Sequence, residues 1–353
     1  VVVWLNTGSG KNFVRTRVVA FLHGKLKTEV SIGELGYGLP KYIVLKNVLF
    51  KDQRNDTLLA IGNLKIDIDM LKLLKKQVSV QQIVLEGVHA HIYRNAPDTN
   101  FNFTYIIDAF TSKSKSPKPK NPKDTTSSFS INLDRLALND IHARFDDYTG
   151  GTRLAVDLDH LNLKMKKLDL DKMQFHIKEL VVVGLQSTVL QDTSYLPPKH
   201  DASTKKTNLQ LAADDIDLQK IAFHYNNSLS KMLMDLQLGK LKTTAKNFDL
   251  ARARINLDQL TLDETQMKIV MGNNSTVPKK VDTLVDTLPQ SNWHVVANEV
   301  KLNNVNFALD NNSKPRQPKG MDYSHLDIRD LVLNSKDILY TGDTINGNIK
   351  HLS

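Results

Sequence analysis

Along most of this chain apolar residues alternate with polar ones, and at fixed places the alternation skips by one residue and then resumes. Ile131, Leu133, Leu136, Leu138, Ile141, Ala143 and Phe145 mark one such phrase, and Ile83, Leu85, Val88, Ala90 and Ile92 mark another. Ile177 to Leu190, Leu211 to Tyr225, Ile255 to Ile269 and Val295 to Leu309 repeat it with lower fidelity. A period of two predicts β-strands with one apolar face. The skip would send Leu136 to the wrong face after Leu133, and one extra residue absorbed as a β-bulge returns it. Two skips per phrase predict two bulges per strand, bending and twisting the sheet while its apolar side stays continuous. A strand of this length spans roughly 50 Å.

Aligned on the residue before the last apolar triplet, the phrases fall at Gly87, Asp140, Gly184, Lys220, Glu264 and Asn304, about 53, 44, 36, 44 and 40 residues apart. A second pattern, Leu154, Val156, Leu158, Leu161 and Leu163, fills several gaps. A unit of roughly 40 residues is therefore expected to hold two or more long strands. The Leu-x-x-Leu-x-Leu runs at Leu133 and Leu257 also fit a leucine-rich repeat. That solenoid needs a shorter, even period and an asparagine ladder, and neither is present.

Other periods mark the remaining elements. Residues 9 to 26 repeat apolar positions at three- and four-residue spacing (Phe13, Val14, Val18, Phe21, Leu22), with Lys11, Arg15, Arg17 and Lys25 mainly opposite. They predict an amphipathic basic helix capped by Ser9, which either lies on a membrane surface or caps the first strands. Ile43 to Phe50 and Leu58 to Leu71 read as strands. Thr111 to Ser128 carries Pro117, Pro119 and Pro122 among serines and lysines, which exclude a helix or a central strand. Shorter breaks fall at Leu196 to Thr207, Asn273 to Asn292 and Asp310 to Gly320. The expected organisation is residues 1–29 as the end of a membrane anchor plus the amphipathic helix, 30–110 as a first β-region, 111–128 as a loop, and 129–353 as repeated strands.

Ten to fifteen one-sided strands with few helices leave an apolar face to be covered. A second sheet, the same sheet curling on itself, or something other than protein must close it. A curled sheet with an apolar lining and a charged outside is a trough for hydrocarbon. The candidate lining is Ile83, Leu85, Val88, Ala90, Ile92, Ile131, Leu133, Leu136, Leu138, Ile141, Ala143, Phe145, Leu161, Leu163, Leu180, Val182, Leu257, Leu260, Leu262, Val300, Leu302, Val305 and Phe307.

Composition narrows the chemistry. The 353 residues are 41% hydrophobic and only 7% aromatic, with a formal net charge of +9. Much of the excess charge sits in loops, at Lys113, Lys115, Lys118, Lys120 and Lys123, with no aromatic residues interleaved, so a stacking platform for nucleic acid is not expected. The absence of cysteine removes disulfides, thiolate metal sites and cysteine nucleophiles. Gly8, Ser9, Gly10 and Lys11 lack the first glycine and the Ser/Thr of a phosphate loop. His89 and His91 share a strand face but have no visible third ligand. The pairs Asp67/Asp69, Asp157/Asp159 and Asp169/Asp171 read as charged strand faces that discourage edge pairing. No nucleophile elbow or nucleotide loop appears. The chain is expected to be no enzyme and to use no metal or cofactor. The opening Val1-Val2-Val3-Trp4-Leu5 reads as the last turn of an apolar helix with an interfacial tryptophan, or else as a short buried strand.

Leu45 to Asp52, Asp56 to Leu59, Leu64 to Leu71, Val80 to Arg94 and Asn102-Phe103 together resemble the N-terminal region of TamB, in the AsmA-like superfamily. Ser324 to Leu333 and Gly342 to Leu352 resemble the repeats that follow in large, Bacteroidota-type versions. Asp98-Thr99-Asn100 departs from the Asp-Gly turn common at that place. The resemblance implies an inner-membrane protein anchored by one N-terminal helix, with its bulk in the periplasm and a length well beyond this chain. It implies a mainly β fold: an elongated, curled and twisted antiparallel sheet forming a groove, with a short N-terminal amphipathic helix. It implies phospholipid passing between inner and outer membranes and an Omp85-type barrel as partner. The alternatives are a periplasmic scaffold for outer-membrane protein assembly, its apolar face an ordinary closed core, and a secreted adhesive β-repeat protein.

Overall fold

The computed structural model describes residues 4, 7–38, 41–68, 78–110, 129–169, 173–192, 210–249, 252–272, 293–342 and 344–353. Among the described residues two helices, α1 (Gly8–Leu26) and α2 (Thr104–Phe110), accompany thirteen strands. The strands are β1 (Val30–Gly38), β2 (Tyr42–Lys51), β3 (Thr57–Ile68), β4 (Val78–Arg94), β5 (Phe129–Asp147), β6 (Thr152–Asp169) and β7 (Gln174–Gln191). They continue as β8 (Gln210–Asn227), β9 (Met232–Asp249), β10 (Arg254–Met271), β11 (His294–Asn311), β12 (His325–Thr341) and β13 (Thr344–Leu352). The fold is mainly β, as expected. The strands form one unclosed sheet in chain order, β1 through β13. By contacts the chain divides into two compact units, Val1–Leu161 with Ser194–Pro197, and Asn162–Thr193 with Pro198–Ser353.

The expectation of an antiparallel sheet needs one refinement. The junctions β4/β5, β7/β8 and β10/β11 are parallel. Parallel neighbours cannot be joined by a tight turn and need a crossover of a dozen or more residues. The breaks read at 111–128, 196–207 and 273–292 fall in the three connections that make these crossovers, though those segments lie outside the described residues. The break at 310–320 joins antiparallel strands, β11 and β12.

The skips are marked by left-handed kinks, not by the expected extra residue: register stays one-for-one across them, because each neighbouring strand also leaves one residue unpaired at the same level. Gly87, Asp140, Gly184, Lys220, Glu264 and Asn304 all have φ between 48° and 67°. Pairing jumps over each of them, from Glu86↔Asn139 to Val88↔Ile141 and from Asp263↔Asn303 to Thr265↔Val305. Asn47 in β2 and Asp330 in β12 share the left-handed backbone. The second skip appears as the jump from Ile177↔Ala213 to Glu179↔Asp215 and from Leu257↔Ala297 to Gln259↔Glu299. Where a kink faces an antiparallel neighbour, a glycine often stands opposite. Gly62 lies across from Asn47 and Gly87, and Gly239 across from Lys220 and Glu264. A Cβ on Gly62 would sit 3.1 Å from the Glu86 carbonyl oxygen, a tight contact that a side chain could make only if the neighbouring backbone gave way by a few tenths of an ångström.

One expectation shifts at the chain's start. The cap of α1 is Thr7, not Ser9: its hydroxyl accepts from the Gly10 N–H at 3.2 Å, and Ser9 lies inside the first turn. Lys27 ends the helix in a left-handed conformation. Of the proposed anchor remnant at residues 1–5 only Trp4 is described. No helix among the described residues is long and apolar enough to cross a membrane. The helix α2 has no counterpart in the sequence reading, because seven residues are too few to show a period.

Candidate functional site

Register turns the apolar positions of separate strands into rows. In the first unit Leu35, Leu45, Leu64, Leu85 and Leu138 pair in succession across β1 to β5. Ile32, Val48, Ile61, Val88 and Ile141 form the next row, beyond the kink. Ile66, Ile83 and Leu136 flank them on one side, and Leu59, Ala90 and Ala143, then Ile92 and Phe145, on the other. Both sides of the kink face the same way: Leu85 and Leu64 pack on the cluster of Ile32, Val48, Ile61 and Val88. The left-handed residue therefore keeps the apolar face continuous.

In the second unit the rows are longer. Val182, Leu218, Leu241, Leu262, Leu302, Leu333 and Leu352 run from β7 to β13. Leu180, Ile216, Thr243, Leu260, Val300 and Ser335 lie beside them. Phe223, Leu236, Met267 and Phe307 form another row, as do Leu238, Thr265 and Val305. The hydroxyls in these rows turn back to the strands: Thr243 donates to the Gln259 carbonyl, Thr265 to Asp263 and Ser335 to Asn348. A buried hydroxyl paired with a carbonyl leaves the face apolar.

Cover differs between the units. In the first, Val19 of α1 packs on the Ile32/Val48/Ile61/Val88 cluster. At the far end of β5, Phe101 lies 5.4 Å from Phe145 and stacks on Phe103. That loop is held by Arg94, whose guanidinium stands over Phe101 and makes a two-pronged pair with Asp147. Burial pushes the Asp147 carboxyl up, but Arg94 and the Gly150 and Thr149 N–H groups outweigh it and hold the pKa below the usual range. In the second unit no helix is present among the described residues. Val182, Leu257, Val300 and Val305 are buried, while Leu180, Leu260, Leu262, Leu302 and Phe307 stay partly exposed. In β4, β5 and β6 only Val88 of the candidate lining is buried; Ile83, Leu85, Ala90, Ile92, Leu133, Leu136, Leu138, Ile141, Ala143, Phe145, Leu161 and Leu163 are partly exposed. The Ile131 side chain lies outside the described residues.

The opposite face is charged and self-paired. His91 meets Asp146 at 2.9 Å, His142 meets Asp157 at 2.6 Å, His176 meets Asp214 at 2.6 Å and His224 meets Asp235 at 2.6 Å, each across neighbouring strands or a strand junction. His89 stacks on His142 with centroids 4.8 Å apart. His89, His91 and His142 line a polar cleft of about 760 Å³ with Arg54, Arg144 and Asp157. Its charges largely answer one another, and no group of three or more His, Asp or Glu among the described residues could hold a metal ion. Asp157 of the Asp157/Asp159 pair thus serves as a histidine partner. The apolar face is the better candidate.

Asp157, and after it Asp140, hold the His142 imidazolium, so its pKa stands above 6.5. A raised folded-state pKa means that the pairing stabilises the fold while the ring is protonated, and that the contribution fades as pH rises through the folded pKa. Asp157→Asn is expected to lower the His142 midpoint in an NMR titration of its ring protons. An unchanged midpoint would show that Asp157 does not hold the proton.

The family model described as TamB, N-terminal domain, matches residues 1–304. No curated protein matches the chain significantly.

Proposed function

The chain belongs to the TamB family, and from that premise we propose that it carries phospholipid between the inner and outer membranes along its apolar face. One observation supports this reading above the others: rows of paired leucine, isoleucine and valine continue from strand to strand, and much of that surface keeps partial exposure where no helix among the described residues covers it. Large apolar surfaces left open mark binding sites. In this reading acyl chains lie along the rows while headgroups stay in water at the open edge. No covalent step takes part and no cofactor is needed. Direction comes from partners or gradients. The chain is held at the inner membrane by an N-terminal anchor, with its bulk in the periplasm, and an Omp85-type barrel receives it at the outer membrane.

A photo-crosslinking amino acid at Leu138 is expected to capture phospholipid in cells, because Leu138 pairs with Leu85 on the partly exposed apolar face. The same group at Asn139 is expected to capture none, since Asn139 lies on the other face and accepts from His160 at 2.7 Å. Capture at neither position would favour the second reading, a scaffold for outer-membrane assembly whose apolar face is a closed core like the Leu257/Ala297/Val300 cluster.

A further inference from the structure

Among the described residues the outward face of α1 is largely exposed. The inward face is fixed: Val19 packs on the sheet, and the Arg15 guanidinium donates to the Ile32 carbonyl at 3.0 Å and the Gly33 carbonyl at 2.6 Å. This holds Phe13 and Phe21 away from the sheet, 48% and 62% exposed. Trp4 joins them, with its ring 5.6 Å from that of Phe13, and Arg17 stands over the Phe13 ring at 5.3 Å. Val18 is exposed beside them, and α2, which contacts α1, exposes Ile107 and Phe110. The helix contains no acidic residue, while Arg17, Lys25 and the capping Lys27 are exposed cations.

We propose that this face of α1 docks on the surface of an anionic bilayer, with Trp4, Phe13 and Phe21 entering the headgroup boundary and Arg17, Lys25 and Lys27 meeting lipid phosphates. Exposed aromatic rings with flanking cations suit a lipid interface, where amphipathic rings prefer the headgroup level and each cation is drawn to negative lipid; α1 itself carries no anion, and α2 brings the exposed Asp108 beside Ile107. A protein partner would need acidic groups at matching positions, whereas an anionic bilayer presents them everywhere. The helix is not apolar enough to cross a membrane, and in this proposal it lies along the surface. The sequence reading offered membrane contact or strand capping as alternatives. The helix is long enough to do both, one on each face. This inference does not depend on lipid moving along the sheet.

The test is co-sedimentation of the 353-residue chain with vesicles of phosphatidylcholine alone or with 30% phosphatidylglycerol. Sedimentation is expected with the anionic vesicles and to fall at least about fivefold in neutral ones. Phe13→Ser/Phe21→Ser and Arg17→Glu/Lys25→Glu are each expected to lose about fivefold in anionic-vesicle binding, with unchanged circular dichroism. Leu262→Asp, on the apolar face of the second unit, is expected to sediment like the parent, which separates surface docking from lipid carriage. Wild-type binding by both helix variants would overturn the proposal, as would equal binding to neutral and anionic vesicles. Concentration-dependent self-association that Phe13→Ser/Phe21→Ser abolishes, without vesicle binding by the parent, would overturn it in favour of a second copy.

Discussion

Leu262→Asp is expected to leave a folded chain that no longer complements an outer-membrane barrier defect. Leu262 sits in mid-strand, paired with Leu241 on β9 and Leu302 on β11, and is partly exposed. A carboxylate there keeps some of its water, so its cost to the fold stays below the several kcal/mol of a fully buried charge. For a hydrocarbon chain lying along the row the same carboxylate is a hydrated obstacle, and transport is expected to fall to background. The control is Thr261→Asp. Thr261 pairs with Lys242 and Lys301 on the opposite face, where a new carboxylate meets cations and activity is expected to be kept. The readouts are growth on detergent or a large antibiotic, together with circular dichroism and yield. Loss of folded protein in Leu262→Asp would favour the closed-core scaffold. Full activity in both variants would remove the sliding mechanism.

Gly239→Val is expected to destabilise the second unit by about 3 kcal/mol or more, because overpacking at backbone has no side chain to yield. A Cβ on Gly239 would lie 2.8 Å from the Glu264 carbonyl oxygen, 2.9 Å from the Glu264 Cβ and 3.0 Å from the Asp263 carbonyl oxygen. Glu264 is held with φ 48° at its kink, and Gly239 also faces the Lys220 kink of β8. Relieving the clash means parting β9 from β10. The melting temperature is expected to fall by about 5–10 °C. Gly24→Ala is the matched control: nothing lies within 4 Å of its added Cβ, and it sits inside α1, where alanine gains about 0.5–1 kcal/mol over glycine. A Gly239→Val chain as stable as the parent would show that the strands can separate there at little cost.

The kink positions were legible because a skip in a period-two pattern must be answered by a local change of backbone. Lys220 and Glu264 carry left-handed backbone although neither residue favours it, so the apolar positions on either side of them, not their own propensity, place the kink. The identity of the candidate lining was legible for the same reason: Leu257, Leu260 and Leu262 share a face because the pattern leaves them no other. The Arg94/Asp147 knot that holds Phe101 over Phe145 was not legible, since its members meet across 53 residues and follow no period. Nor was the choice between Thr7 and Ser9 as helix cap, because both carry the required hydroxyl and only backbone geometry decides between them.

By itself the sequence determined most of the long strands, the places where they kink and which side of each is apolar, because these depend on neighbours one to three residues away. Only the tertiary structure decided which strand lies beside which, and in which direction. The six phrases recognised in the sequence belong to β4, β5, β7, β8, β10 and β11, the strands that flank the three parallel junctions. Parallel neighbours in register run the same pattern in the same direction, so they read alike. The intervening strands β6, β9 and β12 run the other way, and their pattern reads in reverse. The near-even spacing of about 40 residues therefore merged two different steps, one strand across a parallel junction and two strands through an antiparallel meander. The repeating unit is three strands over roughly 80 residues, from Asp140 to Lys220 and from Lys220 to Asn304. Whether the rows are covered was likewise decided in three dimensions. It depends on where α1 and the Phe101 loop come to rest, and burial is a property of what lies opposite a residue, not of the residue's place in a pattern.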